Sequence, residues 1–156
     1  MRSLTIGLVL AAGLCLAASC AHSNTRRHLA QNRGGVRLDQ RIHDRCGAAA
    51  GDAYFEYDST ELSSGAVARL DALAACFARG PFRDSSLSLV GYTDPEGSAA
   101  YNKELGLARA QSVASYLEHK GVPSSHLRVS SRGEAGASAD PRDWPADRMV
   151  DVTLLP

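Results

Sequence analysis

Apolar and polar positions are unevenly spread along this chain. From Leu4 to Ala18 nearly every position is apolar, Thr5 and two glycines apart, whereas residues 21–45 contain few large apolar side chains. From residue 46 the pattern becomes periodic. The run 53-AYFEYDS-59 alternates and is aromatic-rich, which predicts a strand ended by Asp58-Ser59. In 64-SGAVARLDALAACFARG-80, Val67, Leu70, Ala74 and Phe77 recur at helical spacing with Leu73 alongside. Ser63 or Ser64 can cap this helix, and Gly80-Pro81 stops it.

Alternation returns in 86-SLSLVGY-92, with Leu87 and Leu89 on one face of a second strand. A second helix is expected from about Ala99 to Lys120, with Ser98 as N-cap and Gly121 as stop. Its buried stripe reads as Leu107, Ala110, Ala114 and Leu117. The segments 126-HLRVSSR-132 and 148-RMVDVTLL-155 read as strands, the latter with Val150, Val152 and Leu154 in register, and a polar loop covers 133–147. Strand–helix–strand units require parallel pairing with right-handed crossovers. The expected fold is therefore an α/β (α+β) two-layer sandwich in the order βαβα-ββ, with two main helices on one face of a mixed sheet.

The chain has 156 residues, room for one domain once its ends are set aside. Residues 1–19 read as an export signal: Arg2 precedes the apolar run, and small residues lead to Cys20. Two processing routes fit 16-LAASC-20. One is ordinary cleavage before Cys20, giving a soluble periplasmic product. The other resembles a bacterial lipobox in which Cys20 is acylated, although Ala17 stands where leucine is usual and Leu16 lies one step early.

The cysteines bear on that choice. Once Cys15 leaves with the signal, Cys20, Cys46 and Cys76 remain, an odd number for an oxidising compartment. Lipidation of Cys20 leaves Cys46 and Cys76 to pair as a disulfide worth about 3–4 kcal/mol in the chain-entropy model. Two buried free thiols are the alternative. Ala21 is not the aspartate associated with inner-membrane retention, so an acylated product is expected on the periplasmic face of the outer membrane.

The formal net charge of zero argues against a general nucleic-acid binder. Arginines at 26, 27, 33, 37, 41 and 45 nevertheless face only Asp39 and Asp44. Residues 20–45 are therefore expected to form the lipid anchor and a flexible basic tether, either solvated or resting on an anionic surface, with the domain at 46–156.

The candidate chemistry centres on 91-GYTDPEGSAAYNKELGLARA-110. Asn102, Gly106 and Arg109 are spaced four and three apart, on one face of the second helix and away from the Leu107 stripe. Gly106 costs a helix about 0.8–1 kcal/mol relative to alanine, which is tolerated where something approaches the backbone closely. Asp94 follows a strand's C-terminal end, where α/β sheets place ligands. A carboxylate for an ammonium and a guanidinium for a carboxylate together match the zwitterionic end of an amino acid. The alternative is that Asp94 caps the helix and pairs with Arg109. No Ser–His or Cys–His constellation, HExxH motif or phosphate-cradling loop is present, so no catalytic residue, metal or cofactor is expected.

The stretch GYTDPEGSAAYNKELGLARAQSVASYLEHKGV resembles the OmpA-like carboxy-terminal domain, with further likeness in AYFEYDS, LRVSSRGE and WPADRMVDV. That family includes the lipoprotein Pal and the wall-binding part of flagellar stators. The resemblance implies non-covalent capture of peptidoglycan through diaminopimelate of its stem peptide, gripped by residues corresponding to Asp94 and Arg109. It implies that Thr93, Asn102 and Leu105 shape the same pocket and that Tyr57 and Asp58 close the first-strand motif. Three positions depart from the family pattern: Glu56 for aspartate, Ala108 for a first arginine, and Met149 where Arg-Arg is usual. The last is expected to weaken a supporting contact.

Two other readings stand beside this one. A protein-interaction module would contact TolB-like periplasmic partners, with the loop around Trp144 a further candidate surface. A wall-active enzyme would draw on Asp94, Glu96, Glu104, His119 or His126.

Overall fold

The computed structural model describes residues 35–47 and 55–156. Along the chain run β1 (Gly35–Leu38), α1 (Gln40–Cys46), α2 (Ser64–Ala78), β2 (Leu87–Tyr92), α3 (Ala99–His119), a 3-10 turn (Ser124–His126), β3 (Leu127–Gly133), α4 (Trp144–Asp147) and β4 (Met149–Leu154). The strands form one sheet in the order β1-β4-β2-β3. The outer pairs, β1–β4 and β2–β3, are parallel, and β4–β2 at the centre is antiparallel. The mixed α/β class expected from the periodicity is the class observed.

The strands alternate as a half-covered sheet should. Leu87 and Leu89 of β2 and Val150 and Val152 of β4 are fully buried beneath the helices. The intervening Ser88, Val90, Asp151 and Thr153 are only half-buried. Helix α2 is capped by Ser63, whose Oγ accepts from the Ala66 N–H at 3.2 Å. Its buried row of Leu70, Leu73 and Phe77 closes the core, with Phe82 stacked on Phe77 at 5.3 Å between centroids. Helix α3 begins at its Ser98 cap, and just beyond its end Gly121 takes a φ of +96°.

Three expectations change. The first strand lies at Gly35–Leu38, and residues 55–59 are irregular with a turn at Tyr57–Asp58 (residues 53 and 54 lie outside the described part). The physical reason is that β1 already occupies the outer edge of β4, pairing Val36 with Val150 and Leu38 with Val152. Residues 35–45 accordingly belong to the fold, not to a tether. Val36 and Ile42 are fully buried, Arg37 forks onto Asp151 at 3.0 and 2.6 Å, and Arg41 pairs with Asp39 at 3.0 Å. Among the described arginines of this segment, Arg37 and Arg41 are thus engaged by carboxylates, and the Arg45 guanidinium lies 5.5 Å from the Phe82 ring centroid. The signal segment and Cys20 fall outside the described residues.

The third change concerns α3. Its Asn102–Gly106–Arg109 row continues into Val113 and Leu117, all buried, while Leu107 is only half-buried. The polar row and the core stripe are one face, and it lies against the sheet. Gly106 explains how: a Cβ there would sit 2.4 Å from Ser131 Oγ, and one on Gly91 would sit 1.7 Å from the Gly106 carbonyl oxygen. The backbone that approaches the helix is strand β2.

Cys46 and Cys76 form a disulfide with a Cα–Cα distance of 5.6 Å, tying α1 to α2 across 30 positions. Free buried thiols are excluded at these two sites.

Candidate functional site

Strand β2 delivers Tyr92, Thr93 and Asp94 to the end of the sheet, and the Gly91–Gly106 crossing brings α3 close enough for Arg109 to reach the same place. Arg109 is fully buried. Its Nε donates to the Ser59 carbonyl at 2.9 Å, Nη1 to that of Tyr92 at 3.1 Å, and Nη2 to that of Glu56 at 3.1 Å. Its guanidinium carbon lies 5.3 Å from the centroid of the Phe55 ring. Burial lowers its pKa to about 10; Asp94 acts in the opposite sense and Arg148 adds to the lowering. The group is therefore still charged at neutral pH, and two of its five N–H donors are left after the three carbonyls.

Asp94 is 5% exposed. Its Oδ1 accepts from the Glu96 N–H at 3.1 Å, and its Oδ2 receives Arg148 Nη1 at 3.2 Å. Each carboxylate oxygen thus retains further acceptor capacity. Arg148 is itself fixed through Nε to the Phe55 carbonyl at 2.9 Å. The alternative assignment for these two residues does not describe the site. Ser98 caps α3, accepting from the Tyr101 N–H at 3.2 Å, and Asp94 pairs with Arg148.

Between the two groups lies a cleft of about 230 Å³, counted out into its open mouth. Besides Asp94 and Arg109 it is lined by Tyr57, Asp58, Glu96, Tyr101, Asn102 and Leu105. Asn102 is buried and donates through Nδ2 to the Glu134 carboxylate, which fixes the loop after β3 against α3. Asp58 accepts from the Tyr101 hydroxyl across the mouth. Thr93 is the sequence candidate left out of the lining. It is buried behind it, its N–H on the Gly133 carbonyl at 3.0 Å and its hydroxyl without a partner among the described residues.

Sequence reasoning passed over Tyr101 and Arg148 as parts of the binding site and considered Glu96 only as an acid of the enzyme reading. Tyr101 was visible in the Tyr-Asn pair, but its reach to Asp58 depends on a turn that alternation had suggested was a strand. Arg148 was noted only as the neighbour of Met149. Met149 opens β4 opposite Gly35, whereas the contact on Asp94 is made by the arginine that this chain retains. Trp144 packs on its own loop, donating through Nε1 to the Ser138 carbonyl at 3.0 Å. Among the described residues no cluster of His, Cys, Asp or Glu fits a metal ion.

Comparison with known proteins agrees with this architecture. Residues 54–149 match the OmpA family, and the chain belongs to that family. It is similar to outer membrane protein A of Serratia marcescens, 37% identical over 86 residues, covering 55% of this chain and 24% of that protein. The likeness to outer membrane protein A of Escherichia coli O157:H7 is comparable, 37% over 84 residues, 54% of this chain and 24% of that protein. The chain thus spans about a quarter of the length of these curated relatives.

Among solved structures it resembles the peptidoglycan-associated lipoprotein of Burkholderia pseudomallei. The TM-score is 0.61 at 26% identity, covering 66% of this chain and 88% of that one. The C-terminal domain of Helicobacter pylori MotB shares the fold with a TM-score of 0.59 at 19% identity, covering 67% and 82%.

Proposed function

We propose that this chain captures peptidoglycan non-covalently, holding the free end of a diaminopimelate residue between Asp94 and Arg109, and that it does so as an envelope protein anchored to the outer membrane through an acylated Cys20. The observation that carries the reading is the pair of opposite charges buried in one cleft, each with hydrogen-bonding capacity left over. The ligand's ammonium takes the open acceptor sites of Asp94, and its carboxylate takes the spare donors of Arg109. Both contacts are strong because the groups are already desolvated and held by Arg148, Glu96 and three backbone carbonyls. The similarity to a protein named for its association with peptidoglycan supports the choice of polymer.

No bond is made or broken in this scheme. Glu104 and His119 are exposed on α3, His126 sits in the 3-10 turn, and none of them lines the cleft. A single grip of this size is modest, and attachment becomes lasting when many copies act on one continuous polymer.

The test is co-sedimentation with purified diaminopimelate-type peptidoglycan. Asp94→Asn keeps the shape and removes the charge; the thermal midpoint should fall because Arg148 loses its buried partner, and retention measured well below that midpoint should fall at least tenfold. A folded variant that sediments as fully as wild type overturns the grip. Mass spectrometry of the mature N-terminus tests the anchor separately, through the acyl mass expected on Cys20.

A further inference from the structure

The cleft is too small for a whole ligand. Its volume of about 230 Å³ already counts open solvent at the mouth, so the enclosed part admits a small terminal group and no more. Whatever sends a charged end down to Asp94 and Arg109 leaves the rest of itself at the rim. Among the described residues the exposed large hydrophobic side chains are two, Tyr57 at 62% and Tyr101 at 49%, and both line this cleft. They stand on different elements, Tyr57 in the turn after Phe55 and Tyr101 in the first turn of α3.

The rim is built. Arg109 grips the carbonyls of Glu56 and Ser59, the two residues that flank the Tyr57–Asp58 pair. Among the described residues Asp58 is the non-glycine one with a positive φ, +51°, a conformation that costs an ordinary side chain and persists where the surroundings impose it. The Tyr101 hydroxyl, donating to Asp58, fastens the turn to α3 from the other side. Two aromatic rings at the solvent edge of a polar pocket thus stand on a backbone fixed from below by one buried guanidinium. Tyrosine supplies large contact area with few rotatable bonds, so an ordered tyrosine rim makes contact at low entropic cost.

From these features we propose that Tyr57 and Tyr101 form a second subsite, which packs against the peptide main chain on either side of the captured residue. The inference rests on the peptidoglycan reading and specifies which part of the polymer the rim meets. The occupant is the peptide because the main chain is what directly adjoins the inserted side chain, whereas a saccharide ring lies beyond the intervening residues of the stem. Of the two subsites, the buried charges recognise the free end, and the tyrosines add affinity only when that end belongs to a peptide.

Calorimetric titration with two ligands tests this, free meso-diaminopimelate and a disaccharide-free stem tetrapeptide containing it. Wild type should bind the tetrapeptide about tenfold more tightly than the free amino acid. Tyr57→Ala and Tyr101→Ala should each weaken tetrapeptide binding at least fivefold more than binding of the free amino acid, so that the ratio of the two affinities falls toward one. Tyr101→Phe, which keeps the ring and loses the bond to Asp58, should retain most of the gain. Equal affinity of wild type for the two ligands, or alanine variants that weaken both alike, overturns the second subsite while leaving the Asp94–Arg109 grip standing. Wild type that binds neither ligand overturns both.

Discussion

The two ends of the segment joining β1 to α2 are secured by different chemistry. At one end, α1 is bound to α2 by the Cys46–Cys76 bridge, and β1 is zipped to β4 by backbone pairing. At the other, the turn at 56–59 is held by side chains: Arg109 makes charge-assisted bonds to two of its carbonyls, and the Tyr101 hydroxyl donates to Asp58. The first arrangement is indifferent to any guest in the cleft. The second uses the same guanidinium that a guest's carboxylate would meet, so the group that shapes the site also reads the ligand. Damage at the first should cost stability alone; damage at the second should cost stability and binding together.

The largest effect is expected from Arg109→Ala. It strands three backbone carbonyls and opens a cavity, and leaving a buried acceptor unpaired costs about 1–3 kcal/mol. Even with water entering, a loss of about 4 kcal/mol in urea denaturation is the expected outcome, together with loss of peptidoglycan retention. A well-folded Arg109→Ala protein would show that the turn is held by something else.

Next comes the disulfide. Cys46→Ser combined with Cys76→Ser should lower stability by about 3–4 kcal/mol, the closure entropy of a loop of 30 residues. Peptidoglycan retention measured below the melting transition should not change. If binding fell in parallel, the two regions would be coupled and the contrast between them would fail.

A smaller effect sharpens the picture where helix and sheet cross. Gly91→Ala forces a Cβ against the Gly106 carbonyl and should cost about 2–3 kcal/mol, at the upper end of ordinary overpacking. Gly106→Ala meets mainly the Ser131 hydroxyl and regains helix propensity, so about 1 kcal/mol is expected. Equal costs in thermal melts of the two variants would mean that backbone contact does not set the spacing.

Much of this was legible beforehand where the information is local. Ser63 and Ser98 announce helix starts, and the alternation of Leu87 with Leu89 and of Val150 with Val152 marks central strands. The Asp94-to-Arg109 spacing places two charges at one end of β2. What escaped is non-local. Gly35–Leu38 offers only Val36 and Leu38 to the core, in a segment rich in arginine, and becomes a strand because β4 has an unpaired edge 114 positions later. The aromatic alternation of Phe55 and Tyr57 suggested a strand; Phe55 is buried while Tyr57 stands in solvent, and the carbonyls nearby answer to Arg109. Arg148 meets Asp94 because β4 runs antiparallel to β2, which no local pattern encodes.

The strand directions have a mechanical consequence. Because β1 and β4 are parallel and β4 opposes β2, the start of β1 at Gly35 lies at the same end of the sheet as Asp94. Tension drawn through the preceding chain, with the cleft held fast, would unzip β1 from β4 one rung at a time instead of shearing the whole strand at once. That unravelling has a hard stop at the sulfur bridge, which lets Gly35 to Cys46 yield as a short extensible leash while the cleft keeps its shape.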